Sequence, residues 1–153
     1  MSGLGVTVSA AVEGIVDRAV LERLAADFRF CIGSFHGLKG KQYLKQRTPA
    51  FNSAARFSPW LVLVDLDSYQ CAPVLRAEWL SASSELMIFR VAVRAIEAWL
   101  MADVETLSNF LHVRGSLVPS DPDGLSHPKE SLVNLARRSP RAEIRKRHGS
   151  ATN

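Results

Sequence analysis

Residues 60–67 read Trp-Leu-Val-Leu-Val-Asp-Leu-Asp. Five apolar residues in an unbroken run, two of them β-branched, predict a strand covered on both faces, as strands of parallel sheets are. Two carboxylates stand at the carboxyl end of that run, where an open α/β sheet binds its ligands.

Working outward, the same punctuation repeats. Val6 to Val12 is apolar and β-branched enough for a buried strand ending at Glu13-Gly14. Asp17 is placed to cap a helix with Val20, Leu21, Leu24 and Phe28 as its apolar stripe. A second strand is expected from Phe28 to Ser34, then a loop marked by Gly33, Gly37 and Gly40 that carries Lys39 and Lys41. A helix from Lys41 to Arg47 is expected to break or restart at Pro49. Downstream, Pro73 suits the first turn of a helix through Leu80, Leu86 to Val93 reads as a fourth strand, and Ala95 to Leu111 as helix in two pieces. Pro119, Pro122, Gly124 and Pro128 mark a long loop before a last helix, Lys129 to Arg138. Strands alternating with helices predict an α/β fold, a Rossmann-like, mostly parallel sheet of about four strands with helices on both faces. Residues 1–118 form the expected domain; residues 119–153 are the loop, final helix and basic tail, packed on it or extending from it.

The chain has 153 residues, 47% hydrophobic and 22% charged, which suits one hydrophobic core and excludes disorder as a whole. No apolar run approaches the roughly 20 residues that span a bilayer, and the N-terminus lacks the basic region of a signal peptide, so a cytoplasmic protein is expected. Cys31 and Cys71 lack metal-ligand spacing and read as buried free thiols. The net charge of +4 is uneven: from Arg137 to His148, six basic residues face one acid, Glu143, so this segment carries +5 and the rest about −1. Such a tail either grips phosphates through counterion release or is a solvated helix end.

The acidic residues carry the chemistry. In an extended chain residues two apart point to the same side, so Asp65 and Asp67 are expected to face one cation. Mg²⁺ prefers oxygen ligands, and Glu13 at the end of the first strand supplies a third carboxylate. A strand-end aspartate also serves as a helix cap, the competing role for Asp65.

Glu13-Gly14 after strand one and Asp65-Leu66-Asp67 after a hydrophobic strand resemble the two signatures of the Toprim fold, found in topoisomerases, primases, small ribonucleases and OLD-family nucleases. The segment Arg94-Ala-Ile-Glu97-Ala-Trp-Leu-Met-Ala-Asp103 resembles a further acidic motif of the OLD-like branch, and the chain looks most like small bacterial Toprim-like proteins. The resemblance implies metal-dependent phosphodiester hydrolysis on nucleic acid with Mg²⁺ or Mn²⁺, in a setting such as phage defence. It implies Glu13 as metal ligand or general acid/base, Asp65 and Asp67 as ligands, and Glu97 as an additional ligand. Relatives of this type continue beyond the last helix seen here, so the resemblance also implies a truncated C-terminus. Asp103, six positions after Glu97 and so about 240° around a helix, is expected to cap the following helix instead.

The loop Gly37-Leu-Lys-Gly-Lys41 is not a phosphate-binding P-loop, since Phe35 stands where a glycine is required and Gln42 where Ser or Thr is required. Lys41 is a candidate for neutralising charge on a scissile phosphate. Two alternatives remain: a non-catalytic Toprim-like module working with an ATPase partner, and a haloacid-dehalogenase-like phosphatase using Asp65 and Asp67. The second is disfavoured by Tyr69, where that family has Thr or Val. Tyr43 and Tyr69 have no context of a topoisomerase nucleophile, His36, His112, His127 and His148 read as surface or loop residues, and Trp60, Trp79 and Trp99 read as core.

Overall fold

The computed structural model describes residues 5–146. The elements are β1 Thr7–Val12, α1 Ile15–Phe28, β2 Cys31–Gly37, α2 Lys41–Ala54, β3 Trp60–Asp65, α3 Ala72–Trp79 and β4 Met87–Ala92, followed by α4 Ile96–Ala102, α5 Val104–Leu111, α6 Pro128–Arg137 and α7 Ala142–Lys146. They form two compact units, one up to Ala92 and one from Val93 onward.

The first unit is the expected α/β sheet. All four strands are parallel, in the order β2-β1-β3-β4. From β1 the chain steps outward to β2, then crosses back to lay β3 on the other side of β1. The strand order therefore reverses between β1 and β3, the place where such sheets bind ligands. Val62, Leu63 and Val64 of β3 and Ala10, Ala11 and Val12 of β1 are all buried, as strands covered on both faces require. Successive residues of β2 show the two covers. Phe35 lies under the Arg18 guanidinium of α1, while His36 packs 5.8 Å from Phe51 of α2 and 4.8 Å from Trp60.

Four local expectations change. Asp17 is not the cap of α1: Gly14 holds that position, and Asp17, one turn in, accepts its N–H at 2.8 Å. The buried face of α1 is Asp17, Leu21 and Ala25, not the expected stripe ending in Phe28, which is exposed; Phe28 is nonetheless the last helical residue, so β2 begins at Cys31 and runs on through the glycines to Gly37. That extension needs a bulge. Val8 pairs with Ile32 but Ser9 with Ser34, so Gly33 is the extra residue, and a Cβ there would sit 2.9 Å from Thr7 Cγ2. Finally, α2 passes through Pro49 without restarting. Burial of Leu44, Thr48 and Phe51 along one face holds it together despite the N–H that proline cannot give to the Lys45 carbonyl.

In the second unit α4 and α5 are the two expected pieces, divided at Asp103, whose carboxylate accepts from Thr106 N–H at 3.0 Å as the predicted cap. Its core joins Met101, Leu111, Val118, Leu135 and Ala136. The boundary expected at 118/119 thus falls within one core. The basic segment is helical at Arg137 and again in α7, where Arg145 donates to the Ser139 carbonyl at 2.7 Å; Arg147 and His148 lie outside the described residues. Cys31 is exposed because it opens an edge strand, and Trp99 is 39% exposed, whereas Trp60 and Trp79 are buried. Among the described residues no helix is long and apolar enough to cross a membrane.

Gly37 closes β2 at φ +87°, and a Cβ there would lie 2.2 Å from the Val12 carbonyl oxygen. Gly37→Ala therefore combines left-handed strain with a backbone clash, and is expected to destabilise the sheet by about 2 kcal/mol or more. The urea midpoint followed by circular dichroism measures it; a midpoint equal to wild type would contradict the clash.

Candidate functional site

Three loops meet beyond the carboxyl ends of β1 and β3. Glu13 is the residue after β1, and register places Val12 beside Leu63. Asp65 closes β3, and its N–H donates to Glu13 Oε1 at 2.9 Å, so the carboxylate takes up a backbone donor at the end of the ladder. The third loop follows β2. Leu38 N–H donates to the Val12 carbonyl and Gly40 N–H to the Glu13 carbonyl, both at 3.0 Å, which ties the loop to the end of β1. Positive φ at Gly37, Leu38 and Gly40 makes that close return possible, and Lys41 emerges from it as the first residue of α2.

Lys41 reaches back over the strand ends. Its Nζ donates to Asp67 Oδ2 at 2.7 Å and to the Asp65 carbonyl, and stands 4.0 Å from Glu13 Oε1. Three oxygens from two strand ends thus surround one ammonium.

The Asp-Leu-Asp segment does not meet this group as an extended strand would. Leu66 is buried and its N–H donates to the Ala92 carbonyl at 2.8 Å, but Asp67 turns into the left-handed region at φ +50°. Tyr69 N–H then closes a turn onto the Leu66 carbonyl. Strand alternation therefore ends at Asp65, and Asp67 reaches Lys41 through a turn, a conformation that aspartate tolerates better than most residues. Neither aspartate caps α3, whose N-cap is Cys71.

Glu13 is altered by its surroundings. Its side chain is 15% exposed, and burial pushes its carboxyl above the usual range, against the lowering effects of the Asp65 N–H and Lys41. Asp67 and Asp17 add to the rise by like-charge repulsion. A carboxyl raised in this way is suited to proton transfer nearer neutral pH.

Tyr69 has more context than its sequence position offers. Its ring lies 5.4 Å from Lys41 Nζ, its hydroxyl donates to Glu78 at 3.1 Å and accepts from Trp79 Nε1 at 3.3 Å, and Glu78 pairs with Lys45. Lys45 lies one turn after Lys41, and that i, i+4 spacing was the legible signal; Glu78 had none, because it arrives from α3.

Of the residues singled out in the sequence, Glu13, Lys41, Asp65 and Asp67 come together in the first unit. Glu97 belongs to the second, buried in the first turn of α4. Among the described residues no three His, Cys, Asp or Glu side chains form a group arranged to hold a metal ion. The donors around Lys41 are nevertheless hard oxygens, two carboxylates and a backbone carbonyl, the kind that Mg²⁺ or Mn²⁺ takes together with water and phosphate.

The raised carboxyl of Glu13 has a sign that can be tested. From its ordinary value of 4.5 up to the raised one, the folded state binds more protons than the unfolded, so stability falls as pH rises through that window. Glu13→Gln removes this slope. The variant is expected to gain stability relative to wild type between pH 4.5 and neutrality in urea unfolding at each pH; a difference constant with pH would exclude the buried-carboxyl account.

Comparison of the chain with protein-family models, with curated proteins and with solved structures gave no match in any of the three.

Proposed function

We propose that the chain is a divalent-metal-dependent phosphodiesterase acting on nucleic acid, with its chemistry at the carboxyl ends of β1 and β3. The observation that carries this reading is the convergence of Glu13, Asp65, Asp67 and Lys41, from three separate loops, on the point where the strand order reverses. Glu13 and Asp67 would hold Mg²⁺ or Mn²⁺, with Asp65 beside them. The bound ion supplies Lewis-acid polarisation of a phosphoryl oxygen. Where Glu13 does not hold the ion, its carboxyl, raised by burial, would instead exchange a proton with the attacking or leaving oxygen, and in either role Asp65 N–H keeps it oriented. Lys41 places a positive charge where a phosphate would enter, the electrostatic contribution that phosphoryl transfer needs most. Nucleic acid as the substrate is supported by the Toprim-like motifs and by the basic residues of α6 and α7, which offer phosphate contacts.

The test is cleavage of single- and double-stranded DNA and RNA with Mg²⁺ or Mn²⁺, and with chelator as control. Glu13→Ala and Asp67→Ala are each expected to lower metal-dependent cleavage by about a hundredfold or more with the circular dichroism spectrum unchanged. A double variant as active as wild type would rule the site out.

A further inference from the structure

Building on the metal-dependent reading above, we propose that Lys41 is an intramolecular competitor of the divalent cation, so that lysine and metal fill the same oxygens in turn. The Nζ atom lies 2.7 Å from Asp67 Oδ2, bonds the Asp65 carbonyl and stands 4.0 Å from Glu13 Oε1. These are the oxygens that a cation at this strand junction would take. Mg²⁺ sits about 2.1 Å from its ligands. An ion on Asp67 Oδ2 would be pressed against an ammonium already on that atom, and two positive charges at that range repel strongly at the low effective dielectric of a half-buried site. One must leave.

The backbone fixes what can move. Gly40 N–H on the Glu13 carbonyl and Leu38 N–H on the Val12 carbonyl hold the start of α2 in place, so only the Lys41 side chain can swing. Two destinations suit the released ammonium. One is the face of Tyr69, whose ring centroid is already 5.4 Å away. The other is the phosphate of a bound substrate. Metal loading and the freeing of a phosphate-binding lysine are then one event. Without metal, the lysine compensates carboxylates that would otherwise repel one another.

The experiment is a titration of Mn²⁺ into the full chain, followed by calorimetry and by the electron paramagnetic resonance signal of free Mn²⁺, with no substrate present. Wild type is compared with Lys41→Met, Lys41→Gln and the double variant Lys41→Met/Asp67→Asn. Both single variants are expected to bind Mn²⁺ about tenfold tighter than wild type, and the double variant to lose that gain. Binding by the single variants where wild type shows none supports the proposal equally. Equal or weaker binding in both single variants, with wild type binding normally, overturns the competition while leaving the metal reading intact. A gain that survives Asp67→Asn places the ion elsewhere and overturns it too. No binding by any form removes the metal reading and this inference together.

Discussion

The pairing of β1 with β3 is the constraint on which the site rests. Their register sets Val12 beside Leu63, so Glu13 leaves the sheet just where β3 is about to end, and the Asp65 N–H points at its carboxylate instead of at another strand. Side chains alternate along a strand. A slip of one residue between these two would therefore exchange the two buried faces of β3, setting Leu63 where Val62 and Val64 pack, and move Glu13 off the Asp65 donor together. Burial of the central strands thus fixes the position of the acid, and the hydrophobic core and the polar junction cannot be adjusted independently.

The electrostatics follow from that placement. A carboxylate 15% exposed at the end of a buried strand is poorly solvated, and it shares its surroundings with a second acid on the β3 turn. The fold answers with one backbone donor from the end of β3 and one lysine from the start of α2. Tyr69 and Glu78 extend the arrangement outward to Lys45, so that acids and bases alternate across the surface from Glu13 to α2.

Much of this was legible in the sequence because it depends on local signals. The apolar run at 60–64 reported a doubly covered strand, and the glycines at 37 and 40 reported a backbone that must turn where other residues cannot. Asp103 was legible as a cap because capping depends on the next three residues alone. What escaped depends on partners distant in the chain. The bulge at Gly33 appears only in the pairing with another strand, where Thr7 leaves no room for a Cβ, and the continuity of α2 through Pro49 is imposed by what its buried face packs against. Asp67 was expected beside Asp65 by strand alternation, but the strand ends two residues short of it, at Asp65, so that rule does not apply. The division of the chain after Ala92 escaped as well, since Val118 is joined to Leu135 by packing across a loop whose prolines suggested a boundary.

The bulge at Gly33 has a consequence for how much change the first crossover tolerates. By taking up one residue near the start of β2, it sets the phase of every later residue on that strand: Ser34 meets Ser9, His36 joins Phe51 and Trp60, and Gly37 arrives beside Val12. The length of the turn after α1 is thereby decoupled from the alignment at the far end of the strand. Upstream insertions or deletions of one residue have a place to be absorbed, and the sheet can hold its chemical end constant while its other end drifts.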